Sequence, residues 1–267
     1  MNILKIFVIS ALVWCPFVAN AEPTSVSLGI FPYASTSKLI SHHKNVKKHI
    51  SKTTKLNVSL VTAKNLSAYM NNIANNKYDL IYSAPHAARY AEKKYGYQRV
   101  AMTSHQIRGV ILVKKDSAIK SFSDLENKRL AVAPAKTLLH QVALDHLQEY
   151  NIYPASNIKL KTVNTHNTAI YEVIKGDSDA AVTGIKLWKK LNPNHKKNLR
   201  KLSNTKATTG FIILAKPQLK KSLIKKLQNS FLSFNNTLAG KTYIFRGFKK
   251  ITDFEMKSLD FHSRVFE

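Results

Sequence analysis

The chain has one cysteine, Cys15, in 267 residues, and acidic side chains are scarce: 15 Asp and Glu against 42 Lys and Arg. With Cys15 inside a leader that is cleaved, the mature protein has no disulfide framework, no thiolate zinc site and no cysteine nucleophile, so its stability must come from a packed core. Few carboxylates, no Gly-x-Ser-x-Gly elbow and no phosphate-cradling Gly-x-x-x-x-Gly-Lys loop leave no pattern for catalysis, and an enzyme is not expected. Gly and Pro number 8 each and gather in no flexible tether. There is no repeat of solenoid period. Beyond the leader, no apolar run reaches the roughly 20 residues that a membrane helix needs.

The leader has Lys5 as its positive flank, Ile6 to Val18 as its apolar core and Ala19-Asn20-Ala21 as a small-residue cleavage site, so cleavage is expected after Ala21. Trp14, just before Cys15, is too bulky for a lipoprotein-type site. A secreted, thiol-free protein follows.

The formal charge of +27 gives a field that attracts anions, acidic polymers and anionic membranes. The lysines are spread in pairs such as Lys47-Lys48, Lys189-Lys190 and Lys225-Lys226, without a compact basic stripe and interleaved aromatics. A solvated basic surface is therefore expected, and nucleic acid is not an expected partner. The ten histidines lack metal spacing. His42 and His43 are adjacent and face different sides of a helix, whereas a helical metal pair shares one face. No metal or other cofactor is expected.

Apolar strand-like runs alternate with helix-like segments. Val26–Ile30 precedes a helix over Lys38–Thr53, Val58–Thr62 one over Leu66–Asn75, and Asp79–Tyr82 one over Ala87–Tyr95, before a strand at Val100–Thr103. A second α/β unit begins with Gly109–Val113 and continues through the strand Arg129–Ala133, a helix over Leu138–Tyr150, a strand at Lys159–Val163, a helix over Thr168–Lys175 and a strand at Asp179–Val182. The run Phe211–Ala215 and the helix Leu219–Phe234 then lead into a basic, aromatic tail. This βαβ order predicts mostly parallel sheets with helices on both faces. The expected organisation is a first lobe from residues 22–108 and 210–267 and a second from 109–209, joined by two crossover strands. Two strands run into small and polar turns, Phe31-Pro32-Tyr33-Ala34-Ser35 and Tyr82-Ser83-Ala84-Pro85-His86, where open α/β sheets bind ligands.

The order and spacing of Gly29-Ile30-Phe31-Pro32-Tyr33, Val61-Thr62-Ala63 before the helix containing Tyr69, Tyr78 to Pro85 and Gly176 to Val182 resemble the periplasmic phosphate-, phosphite- and phosphonate-binding proteins of ABC transporters. The tail segment Phe245 to Asp253 also looks like the family's ending, which packs back on the first lobe. The resemblance covers nearly the whole mature chain. It implies the two-lobed type II periplasmic binding fold, a small oxyanion held between the lobes, a periplasmic location and delivery to the membrane subunits of a transporter, with a monomer expected. Carried over, the first-lobe contacts fall on Tyr33, Tyr82 and Ser83, with His86 shaping the turn. The second-lobe contacts fall on Lys136 and Thr137, on His166 and Asn167, and on Thr183. The starts of helices are where unpaired N–H groups and the positive dipole end meet an anion.

Each residue has a plainer reading as well: Tyr33 and Tyr82 suit an amphipathic core, Ser83 a helix cap, His86 packing and Lys136 solvent. The chain departs from the family where a Ser-Thr-Ser run is replaced by Ala135-Lys136-Thr137, and where Thr183-Gly184 stands in place of an acidic residue. These changes suggest a more positive site. Two other readings remain: a ligand-sensing protein that docks on a membrane receptor or kinase, and a polyanion- or envelope-binding protein.

Overall fold

The computed structural model describes residues 23–154 and 156–267; the leader and its cleavage site lie outside the described residues. The first part of the chain runs β1 (Ser25–Ile30), α1 (Thr36–Thr54), β2 (Asn57–Thr62), α2 (Leu66–Ala74), β3 (Leu80–Ser83), α3 (Pro85–Tyr95) and β4 (Gln98–Thr103). It continues with β5 (Gly109–Lys114), β6 (Arg129–Val132), α4 (Leu138–Gln148), β7 (Lys159–Thr162), α5 (His166–Lys175), β8 (Ala180–Gly184), α6 (Ile185–Lys190), α7 (Pro193–Lys196) and β9 (Leu199–Asn204). The chain closes with β10 (Ile212–Ala215), α8 (Lys221–Ser233), α9 (Leu238–Lys241), β11 (Phe248–Lys249), α10 (Asp253–Lys257) and α11 (Asp260–Ser263).

Two sheets result. The first has the order β11-β4-β10-β3-β1-β2 and the second β7-β6-β8-β5-β9. Each keeps a parallel core of three strands, β2-β1-β3 and β7-β6-β8. Antiparallel strands join where the chain crosses between the sheets: β10 pairs with β3 and β4, and β5 pairs with β8 and β9. The two crossovers touch at Ile107 and Thr208, which exchange main-chain hydrogen bonds of 3.0 and 2.8 Å. The tail returns to the first sheet through β11, which pairs antiparallel with β4.

Alternation along the central strands builds a core on both faces of each sheet. In β10, Ile213 and Ala215 join Val26, Leu28 and Phe231 on one face, while Ile212 and Leu214 join Tyr69, Met102 and Met256 on the other. In β5, Ile111 and Val113 pack with Leu130 and Leu147, and Val110 and Leu112 with Ile170 and Val173. Helix α1 buries Leu39, His43, Val46 and Ile50, a stripe at helical spacing.

The two sheets fasten the entry of a central strand in the same way. Asp79, just before β3, accepts from Ser27 N and Ser27 Oγ of β1 at 2.8 Å each. Asp179, just before β8, accepts from Arg129 N of β6 at 2.8 Å. Asp79→Ala leaves the Ser27 donors and the Lys216 ammonium, 2.6 Å away, without that acceptor. It is expected to cost about 1–3 kcal/mol, read as a lower urea midpoint at unchanged slope; an unmoved midpoint would discount the clamp.

Candidate ligand-binding cleft

The strands of each parallel core lead into a helix start, and four of those starts have no side-chain cap. Helix α1 follows β1 with no side-chain cap from Ser35; α3 follows β3 with Ala84 at its N-cap; α4 follows β6 with a Thr137 hydroxyl that does not cap; α6 follows β8 from Gly184. Elsewhere Asn65, Asn192, Thr237 and Thr252 each cap their own helix. Helix α5 is intermediate, since Thr165 satisfies Thr168 N but leaves the first N–H groups of the helix free. Helices α8 and α11 also lack side-chain caps, so the missing cap acquires meaning only with what surrounds it.

What surrounds it is a set of buried polar atoms without partners. Tyr82 Oη, Ser83 Oγ, His86 Nδ1, Thr137 Oγ1, His166 Nδ1 and Thr183 Oγ1 account for six of thirteen such atoms among the described residues. All six belong to residues singled out by sequence, and all stand at the strand-to-helix turns of the two sheets. A buried hydroxyl or ring nitrogen left unpaired is costly, so each of these atoms is open to a polar partner. Ser83 and Thr183 are wholly buried. Ser83 Oγ lies beside the Tyr69 phenol without closing a hydrogen bond, because that phenol is directed to the carbonyls of Gly29 (3.3 Å) and Tyr82 (3.2 Å). Tyr82 Oη is near the hydroxyls of Tyr243 and Thr103, again without a bond. Burial pushes the Tyr82 phenol well above its ordinary pKa, so it remains a neutral donor.

The other three residues are placed differently. Tyr33 Oη is already engaged, 3.1 Å from both His42 Nδ1 and His43 Nε2, and its ring lies against Phe211 and Phe245. Lys136 contributes its main chain, since His86 Nε2 donates to Lys136 O at 3.1 Å. The Lys136 side chain is exposed along a groove with Tyr90, Tyr95 and Phe266, so the extra positive charge expected there finds no support in its placement. Asn167 is exposed in the first turn of α5. That helix begins at His166, earlier than the sequence pattern suggests, which puts His166 at its first position.

Sequence reasoning missed a layer of aromatic and histidine side chains under the first-lobe turns. His43 sits between Tyr33 Oη and Tyr243 Oη, the latter 2.9 Å from its Nδ1, with its ring 4.4 Å from that of Tyr82. His105 packs, tilted, against the rings of Phe211 and Phe245 and bonds Thr103 Oγ1 at 2.9 Å. The adjacency of His42 and His43 made them look divergent, yet both reach one tyrosine hydroxyl. Among the described residues no group of His, Cys, Asp and Glu is arranged to hold a metal.

The two lobes touch across the cleft. Besides the His86 to Lys136 bond, Lys186 Nζ donates to Ile244 O at 3.1 Å and lies 4.7 Å from the centre of the Phe245 ring. His262 Nε2 and Asp145 Oδ2, 2.5 Å apart, join the tail to α4. A cavity of about 680 Å³ opens elsewhere, lined by His105, Asp145, Thr209, Glu255 and His262. None of the nine residues lines it, and its charges are largely paired with one another, as in Lys206 with Glu149 and Lys249 with Glu255.

Two α/β sheets flanked by helices and joined by two crossovers give the type II periplasmic binding fold. Residues 28–258 match the family described as the periplasmic substrate-binding protein of phosphonate ABC transporters. The chain belongs to that family, whose members serve in transport and not as enzymes. Among solved structures, PhnD1 of Prochlorococcus marinus in complex with methylphosphonate is similar at 17% identity and a TM-score of 0.76, over 92% of this chain and 99% of that one. The binding component of a phosphonate ABC transporter from Pseudomonas aeruginosa is 16% identical with a TM-score of 0.73, over 92% and 88%. The aliphatic sulphonate-binding protein SsuA of Escherichia coli is 15% identical with a TM-score of 0.72, over 92% of each chain.

Proposed function

We propose that this protein binds a small phosphonate-type oxyanion between its lobes and hands it to the membrane subunits of an ABC transporter, after export with cleavage behind Ala21. The observation that supports this reading most is that unpaired buried groups stand at helix starts of both lobes: Tyr82 and Ser83 before α3 on one side, and Thr137, His166 and Thr183 at α4, α5 and α6 on the other, where α3, α4 and α6 have no side-chain cap. Hydroxyls and main-chain N–H groups at helix starts suit a tetrahedral anion, because its several oxygens accept from donors that approach from opposite directions. The hinge of this reading lies at the paired crossovers near Ile107 and Thr208, and closure there expels water from around the anion.

The test is a pair of near-isosteric changes, Ser83→Ala and Thr183→Val, in the leader-free protein. Each removes one hydroxyl that the ligand would use and that is otherwise unpaired. Affinity for methylphosphonate by titration calorimetry is expected to fall about tenfold or more per change, while the ligand-free protein melts at the same temperature or higher, since an unsatisfied buried group has been removed. Unchanged affinity in both variants would overturn the placement. Weak binding of many anions, erased by added salt, would favour a polyanion binder instead.

A further inference from the structure

Past β10 the chain is fastened to the first sheet and its helices at several points. Asn235 exchanges two hydrogen bonds with the main chain of Phe248 on β11: its Nδ2 donates to Phe248 O at 2.7 Å, and its Oδ1 accepts from Phe248 N at 2.8 Å. Arg99 Nη1 lies 2.5 Å from Asp253 Oδ1 and Arg89 Nε 2.6 Å from Asp260 Oδ1, while Glu92 pairs with both arginines. The Phe266 ring lies against those of His86 and Tyr90 on α3. A segment held in this way moves with the first sheet.

From that footing it reaches the helices of the second sheet at two places. Ile244 O accepts from Lys186 Nζ of α6 at 3.1 Å, and the same ammonium stands 4.7 Å from the centre of the Phe245 ring, within reach of its negative face. Among the described residues no carboxylate pairs with Lys186. Phe245 is itself buried and its ring meets those of Tyr33, Tyr82 and His105. The start of α6 thus leans on the aromatic layer under the first-lobe turns. The second place is His262 of α11, whose Nε2 donates to Asp145 Oδ2 of α4 at 2.5 Å. Neither contact belongs to the crossovers, so neither is needed to join the sheets. Each forms or breaks with the angle between them.

We propose that the C-terminal segment is a strap that holds the lobes closed, gripping the second lobe through Lys186 on one helix and Asp145 on another, and that these two contacts set how long an anion stays in the cleft without touching it. Contacts made only in the closed form reduce the part of the closing free energy that the ligand must supply. Breaking one therefore speeds release. The inference rests on the cleft reading given above and goes beyond it, because the strap acts on the ligand-free protein as well.

The leader-free protein has no cysteine, so one spin label can be placed on each lobe, at Lys48→Cys on α1 and Lys175→Cys on α5, both exposed. Lys186→Met keeps an apolar stem against Phe245 and removes the ammonium. His262→Ala and Asp145→Asn weaken the second contact from either side. In the ligand-free protein each change is expected to shift the distance between the labels toward the open form, and Lys186→Met combined with His262→Ala to shift it furthest. Methylphosphonate should leave each single variant roughly fivefold faster, the scale of one partly exposed charged contact, with association unchanged. Lys186→Arg, whose guanidinium also donates to a carbonyl and lies over a ring, should restore the parent rate. Distances identical in parent and variants would overturn the strap. So would slower association at unchanged release in Lys186→Met, since the ammonium would then act only through its field. Variants that open as expected while the parent binds no phosphonate would keep the strap and remove the cleft reading.

Discussion

Acidification from about pH 7 to about pH 5 is expected to cost the folded, ligand-free protein on the order of 7 kcal/mol, from four histidines buried in the neutral form. Burial lowers His43 and His105 to about 3, and His86 and His166 to about 4. His42 adds to the effect at His43, Lys186 and Arg246 at His105, His262 at His86 and His140 at His166. In the unfolded chain each ring takes up a proton near its ordinary value of about 6.5. The folded pKa values lie below the unfolded one, so the unfolded chain binds more protons as the pH falls. The stability these rings contribute is full above about pH 7 and is lost below it.

Four rings titrating only in the unfolded chain give a slope of roughly 5 kcal/mol per pH unit between about pH 6 and about pH 4.5. A domain holds in total about 5–15 kcal/mol, so unfolding is expected before most carboxylates titrate. Urea midpoints measured from about pH 8 to about pH 4.5 should be flat at the upper end and then fall steeply. A midpoint unchanged down to about pH 5 would mean that the four rings are solvated.

The strand ends of the cleft were readable in the sequence because buried central strands are continuous apolar runs, and Leu80–Tyr82 or Ala180–Val182 followed by small polar residues has few other meanings. Hydroxyls at Ser83, Thr137 and Thr183 came with those turns. Strand β9, by contrast, reads Leu-Arg-Lys-Leu-Ser-Asn and lies at a sheet edge with only its first residue buried, so it shows neither an apolar run nor strict alternation. Strand β11 has two residues and exists only because β4 offers a free edge. The parallel core of each sheet followed from local βαβ order, while the antiparallel strands depend on where the chain returns, a non-local matter.

Side-chain direction was the second thing hidden from sequence. Lys136 sits in the expected turn, but its main chain meets His86 and its ammonium faces outward. His42 and His43 reach the same tyrosine hydroxyl because Tyr33 comes from the preceding turn and closes over the helix. Neither arrangement has a local signature. Each depends on packing between segments that the sequence does not rank.

Gly210→Ala is expected to destabilise the protein by about 3 kcal/mol or more, the upper range for an overpacked site, and to lower its melting temperature by roughly 6–12 °C. A Cβ at Gly210 would come well within 3.0 Å of Thr103 Oγ1 and of the carbonyl oxygens of His105 and Thr103. Two of these are main-chain atoms of the opposite crossover, and the third is held by His105 Nδ1 at 2.9 Å. No flexible side-chain end is available to yield. The strain therefore passes into the backbone, where Thr103 N donates to Phe211 O at 2.8 Å and Ile107 pairs with Thr208. These bonds fix how the lobes meet, so affinity for an anion held between the lobes should fall along with stability. Gly184→Ala is the matched control. Its added carbon meets only Leu139 Cδ1, at 3.4 Å, and its backbone φ of −79° suits any residue. That change should stay within about 1 kcal/mol. Thermal unfolding of the two variants beside the parent separates a rigid crossover from one that bends freely: a Gly210→Ala protein as stable as the Gly184→Ala control would show that the crossovers slide apart at little cost.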